Sequence, residues 1–225
     1  MAVSQDLADK LTPPKPARSF VPDWYRKADR FIGGKMQLRE GGINKDLKLC
    51  LPFLDALTSG YCLELNCDLL VERDSRGINF FWHEEPQPIE TRPKDMAKTL
   101  PTPSGHDSDL YAWRTVWAAI TPLGYSAIYT HPLNRFDLPF TTTSGVMDTD
   151  FYHNGGQIPF FLKEGFTGVI EAGTPIVQII PFKRESWQHE IADTNSKILE
   201  PKKYSVQKYL FGGYKKLFWQ KKEYK

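Results

Sequence analysis

Short β-branched and aromatic runs, cut at close intervals by glycine, proline and asparagine, predict a mostly β protein. Three observations carry that prediction. Thr121–Arg184 is punctuated throughout in this antiparallel manner, as in Gly124-Tyr-Ser-Ala-Ile-Tyr-Thr and Gly173-Thr-Pro-Ile-Val-Gln-Ile-Ile. No segment there repeats apolar residues at i, i+3, i+4 and i+7, the stripe of an amphipathic helix. The composition also suits a loop-rich β core, with 17 Pro, 16 Gly, 14 Phe, 10 Tyr and 6 Trp in 225 residues. A chain of this length buries roughly 70% of the surface its unfolded form exposes, so one sizeable core is expected.

Residues 1–47 read as an N-terminal arm or linker. Pro13-Pro14-Lys15-Pro16 favours an extended backbone, and Trp24-Tyr25 offers an aromatic anchor. From Lys48 the β domain begins with a helical exception. Leu49, Phe53, Leu54 and Leu57 share one face of a short helix opened by Pro52 and stopped at Ser59-Gly60. Tyr61–Glu72 and Gly77–Trp82 read as strands around the Asp74-Ser-Arg-Gly turn. Prolines and charges over about 83–109 predict a long surface loop, after which Tyr111–Ile120 reads as a strand packing Trp113 and Trp117. The domain ends at Arg184, and 185–225 form a C-terminal arm in which Tyr and Phe alternate with lysines.

Several function classes fall away. A formal charge of +2 argues for no nucleic-acid partner by itself. No apolar run approaches the ~18 residues of a membrane helix. Met1–Lys15 carries Asp6, Asp9 and Lys10 in place of a secretory leader's apolar stretch. Cys50, Cys62 and Cys67 are odd in number and lack CxxC spacing, which predicts reduced core thiols in the cytoplasm. His131, Asp148, Asp150 and His153 have metal-ligand chemistry, but Asp150 and His153 are three apart and do not share a strand face. The sequence therefore predicts no metal site and no cofactor.

Two pieces carry a family resemblance. Gly145-Val146-Met147-Asp148 followed by Phe151, and Gly173-Thr174-Pro175-Ile176-Val177-Gln178-Ile179, resemble the third and fourth motifs of the trimeric dUTPase and dCTP deaminase fold. That resemblance implies a dUTPase-like β-barrel with irregular arms at both ends, assembled as a homotrimer. It puts Asp148 where the family holds its general base, Phe151 where an aromatic stacks on the nucleobase, and Gln178 on the phosphates. A carboxylate suits that place because attack on phosphorus needs a water deprotonated and aimed in line.

The other motifs keep spacing and lose chemistry. His131-Pro132-Leu133-Asn134-Arg135 stands where the family has Arg-Ser-Gly-Leu-Ala, 17 residues before Asp148. Proline in the serine's place removes a hydroxyl and a backbone N–H, and each lost bond to phosphate costs about 1.5–3 kcal/mol. Ser59-Gly60-Tyr61-Cys62-Leu63 resembles the first motif with Cys62 replacing an Asp, and Phe211-Gly212-Gly213-Tyr214 is a poor match to the last. The chain is also similar to a family of proteins, without an assigned activity, encoded by large tailed phages and some bacteria. Lys48-x-Cys50-x-Pro52-Phe53-x-Asp55-Ala56-x-Thr58-Ser59-Gly60-Tyr61 and His131–Phe140 carry that likeness.

The expected function is a non-enzymatic binding or virion-associated structural protein, acting in the cytoplasm or the virion. His131, Asn134, Arg135, Asp148, Phe151 and Gln178 would line its groove. Two alternatives stand beside it. One is a nucleotide hydrolase with a rebuilt pocket, using Asp148 as base and Mg²⁺ on the phosphates. The other is a nucleic-acid-binding accessory protein, from the lysines and aromatics of Tyr204–Lys225.

Overall fold

The computed structural model describes residues 11–39, 42–191, 209 and 212–225. Its early strands are β1 (Lys15–Pro16), β2 (Leu38–Arg39), β3 (Gly42–Ile43), β4 (Tyr61–Glu64), β5 (Leu69–Asp74), β6 (Gly77–Phe81) and β7 (Ile89–Thr91). Those that follow are β8 (His106–Arg114), β9 (Tyr125–Thr130), β10 (Phe140–Thr142), β11 (Gly145–Met147), β12 (Gln157–Lys163), β13 (Gly168–Ile170) and β14 (Pro175–Lys183). Three helices accompany them among the described residues: α1 (Asp23–Lys27), α2 (Leu51–Thr58) and α3 (Gly213–Leu217).

The protein is mostly β, and all the pairing is antiparallel. One sheet runs β1-β4-β14-β9-β11, a second β10-β12-β8-β7, a third β13-β5-β6, and β2 pairs with β3. Among the described residues no sheet closes into the barrel expected from the sequence.

Contacts divide the chain into two compact units, with a boundary inside α2. The first combines residues 11–20 with Leu57–Arg184, and the second combines Val21–Ala56 with Glu185–Lys225. The segment read as an N-terminal arm is thus divided, residues 11–20 going with the β unit and those from Val21 with the C-terminal segment.

In the first unit the three larger sheets bury one apolar cluster. Trp113 on β8 is its centre, stacked on Phe160 of β12 at 3.8 Å and met edge-on by Phe140 of β10 at 4.8 Å. All three are fully buried, so the indole N–H needs an internal acceptor. Thr142 Oγ1 accepts it at 3.1 Å and donates in turn to the Ile176 carbonyl on β14 at 2.7 Å. One hydroxyl therefore satisfies the core's largest side chain and ties the second sheet to the first. Arg73 on β5 pairs with Asp107 on β8 and donates to the Phe166 carbonyl at 2.9 Å, which binds the third sheet to the second.

The long loop expected over 83–109 is shorter than predicted. Ile89 is buried and faces Trp113 across β7 and β8, so one inward side chain suffices to make a strand amid prolines. A 3-10 turn at Lys94–Ala97 and the first four residues of β8 fill more of it. Trp117 lies beyond the end of β8 rather than in it. The helix expected near Pro52 is α2, with Leu57 buried.

In the second unit Asn44 organises a turn. Its amide donates to the Ile32 and Lys35 carbonyls at 2.7 and 3.0 Å and its oxygen accepts the Gln37 N–H at 2.6 Å. Tyr25 stacks on Phe53 at 5.8 Å, and Lys48 Nζ lies 4.9 Å from the Tyr25 ring centre. The C-terminal segment carries α3, a helix not expected from sequence. The remaining residues of the tail motif, 204–208 and 210–211, lie outside the described residues.

Cys62 and Cys67 are buried, as core thiols are, whereas Cys50 is exposed, against expectation. Burial pushes the Cys62 thiol up to about 12, which keeps it protonated and unreactive at neutral pH. No described helix is long and apolar enough to cross a membrane.

Candidate functional site

The structure places the six candidate residues in two groups, at opposite ends of the β9–β14 pair. Gln178 lies opposite Thr130, while Phe182 lies opposite Ser126. Four residues of strand separate those positions, about 13 Å.

The first group occupies the loop between β9 and β10. Asn134 turns it with φ of +61°, a conformation that asparagine tolerates better than most side chains. His131 spans the loop with both ring nitrogens. Nε2 lies 3.0 Å from the Arg135 carbonyl, which only accepts, so this nitrogen carries the proton. Nδ1 accepts the Thr142 N–H at 3.2 Å. The tautomer is thereby fixed as neutral, and burial holds the imidazole below its usual range. Arg135 forks onto Asp137 at 2.9 and 2.8 Å and donates to the Phe20 carbonyl at 3.1 Å.

Gln178 closes this group from below. It is 1% exposed in the middle of β14. Its oxygen accepts the Leu133 N–H at 2.7 Å and its amide donates to the Ser59 carbonyl at 2.6 Å. Next to it Gly60 has φ of +69°, and a Cβ there would stand 2.0 Å from the Ile179 carbonyl oxygen. Only glycine fits this approach of the chain to β14.

The second group is the turn after β11. Thr149 is fully buried, bonds Thr121 through both hydroxyls at 2.7 Å, and accepts the Thr121 N–H at 3.2 Å. Asp150 follows, its side chain 1% exposed, accepting the Gly124 N–H at 2.8 Å. Arg184, just past β14, donates Nη1 to Asp150 at 2.9 Å and to Asp148 at 3.0 Å, and its Nη2 also pairs with Asp150. The guanidinium holds the Asp150 carboxyl below the usual carboxylate range. Ser126 donates to Asp148 Oδ1 at 2.7 Å, and the Phe151 ring lies 5.8 Å from the Arg184 guanidinium. Asp148 and Phe151 remain largely exposed, at 64% for the carboxylate side chain and 71% for the phenylalanine.

Arg184 and Ser126 are the parts of this group that the sequence does not single out, and Asp150 enters there only as a metal ligand. Their separations along the chain are tens of residues, and only the Asp148-x-Asp150 pairing is local. Chemically, the first group is a hydrogen-bonded brace with one ion pair, Arg135–Asp137, at its edge, and the second is a charge-compensated turn that exposes Asp148 and Phe151. No group of three or more His, Cys, Asp and Glu side chains able to hold a metal ion forms among the described residues.

Two clefts lie elsewhere on the first unit. One of about 460 Å³ is lined by Pro13, Pro14, Tyr61, Trp117, Thr121 and Pro181, among others. The other, about 570 Å³, lies between Asp137–Pro139 and Lys163–Thr174. None of the six candidate residues lines either one. Compared with protein-family models the chain matches none, and no curated protein is similar enough to count as a relative.

Proposed function

We propose that this chain is a non-catalytic binding or assembly protein, of phage origin, whose β unit is a dUTPase-like scaffold with its sheets left open. One observation carries the reading. The side chains standing at nucleotide-binding motif positions are committed to partners within the chain: Gln178 to Leu133 and Ser59, His131 to Arg135 and Thr142, and Asp148 to Ser126 and Arg184. A phosphate entering there has to break bonds that hold the loop, and Pro132 offers it no N–H. The scaffold works as a homotrimer with a protein partner, in the virion or the cytoplasm.

A thermal-shift screen against nucleotides and deoxynucleotides, with and without Mg²⁺, tests this. A ligand at 100 times its Kd stabilises the native state by about 2.7 kcal/mol, a visible shift. The expected result is no shift. A shift that disappears in Asp148→Ala replaces this reading with the hydrolase. Sedimentation tests the trimer, and a monomer at micromolar concentration removes it.

The hydrolase keeps one observation in its favour. Asp148 is exposed beside the exposed ring of Phe151, the pairing of carboxylate and flat apolar face that a nucleotide site requires. On that reading Mg²⁺ neutralises the phosphates and Asp148 accepts a proton from water.

A further inference from the structure

The charge of this chain is divided unevenly. Val21–Ala56 with Glu185–Lys225 carry 16 of the 29 Lys and Arg residues and 10 of the 27 Asp and Glu, a net of +6. The first unit is left at −4. A near-neutral total thus conceals a basic unit joined to an acidic one.

Within the basic unit the aromatic and cationic side chains are gathered by α2. Phe53 is met by Trp24 at 6.4 Å and stacked by Tyr25. Two residues on, Asp55 accepts the Trp219 indole N–H at 2.9 Å and Lys222 Nζ at 2.6 Å. That carboxylate fastens the C-terminal segment to the same helix that holds Trp24. The fastening leaves rings in solvent: Trp24, Tyr214 and Phe218 are all exposed, as are Arg26, Lys215 and Lys216. Trp24, Tyr214 and Phe218 keep about two-fifths of their surface in solvent within segments that also carry exposed cations, and Lys216 Nζ lies 4.9 Å from the Tyr209 ring centre, so rings and cations share the same surface.

From this juxtaposition we propose that the basic unit binds single-stranded nucleic acid. Trp24, Tyr214 and Phe218 stack bases, while Arg26, Lys215 and Lys216 neutralise phosphates. A single strand fits better than a duplex because only unpaired bases present their faces to a protein ring. The proposal is independent of the reading given to the β unit.

Fluorescence anisotropy of the full chain with labelled oligothymidylate and oligouridylate of about 20 nucleotides tests it, from about 50 to 200 mM NaCl. A duplex of equal length and phosphatidylserine vesicles are the comparison ligands. The expected result is preference for the single strands. Lys215→Glu with Lys216→Glu then flattens the log–log salt dependence by about 1.4, at roughly 0.7 for each phosphate contact. Tyr214→Ala weakens binding at least about fivefold at every salt concentration without changing the slope, and Tyr214→Phe leaves it unaltered. Equal thermal midpoints for the variants and the parent separate lost binding from lost fold. The proposal is overturned if neither oligonucleotide binds at the lowest salt. It is equally overturned if duplex or vesicles bind as well as single strands and Tyr214→Ala changes nothing.

Discussion

The two ends of the β9–β14 pair are closed by opposite means. At one end a buried glutamine and a neutral histidine hold the His131–Phe140 loop with hydrogen bonds to backbone groups. At the other, an arginine holds a turn with charge, through one exposed aspartate and one buried one. Neutral bonds in the interior are costly to break because their partners cannot turn to water. The exposed Asp148 arm of that pairing is cheaply replaced by water and ions, whereas the buried Asp150 carboxylate is not. The first end is therefore architecture throughout, and the second has freedom to change only at its exposed edge, Asp148 and Phe151.

That contrast is open to direct attack. Gln178→Leu preserves size and takes from the Leu133 N–H its acceptor and from the Ser59 carbonyl its amide donor. We expect a loss of about 2–6 kcal/mol in urea unfolding, at about 1–3 kcal/mol for each of the two groups. A loss below 1 kcal/mol would erase the distinction between the two ends. Gly60→Ala is expected to cost at least about 2 kcal/mol, since a Cβ is forced both into left-handed backbone and against Ile179.

A smaller effect concerns pH. His131 is held below 6.5 in the folded chain, so the unfolded chain takes up its proton first. Its contribution to stability is complete above about 6.5 and declines as pH falls toward the folded value. The thermal midpoint should fall over that window in the parent and less in His131→Gln. An equal fall in both removes His131 from the account. Asp150 acts lower on the scale. Its depressed carboxyl stabilises the fold above its unfolded value and loses that effect as pH falls through the folded one. Asp150→Asn should flatten the acid limb of the midpoint curve, and a limb unchanged from the parent counts against the Arg184 pairing.

The smallest effect belongs to Asp148→Ala. An exposed pair of this kind contributes about 0–1 kcal/mol, and high salt should reduce the difference further. A larger, salt-independent loss would show that the turn is as structural as the loop.

Much of the β character was legible because turn residues and apolar runs act locally. Pro52 and Gly60 announced the start and end of α2 on the same grounds. β7 was hidden, since its claim to be a strand rests on Ile89 meeting Trp113 from across the sheet. Gln178 was visible and misleading. A polar residue inside Ile176-Val177-Gln178-Ile179 fits a ligand contact or a satisfied buried group equally well, and only the places of Leu133 and Ser59 separate the two. Arg184 gave no signal at all, because its partners Asp148 and Asp150 lie 36 and 34 residues away.

The tryptophans give the molecule a means of reporting on itself. Trp113 is sealed between Phe140 and Phe160 in the first unit, whereas Trp187, in the second, is 85% exposed and Trp24 is partly so. A collisional quencher therefore dims Trp187 first and spares the blue-shifted emission of Trp113, with the half-buried Trp82, Trp117 and Trp219 between those limits. Opening of the Trp113 core has an optical signature of its own, with no label attached.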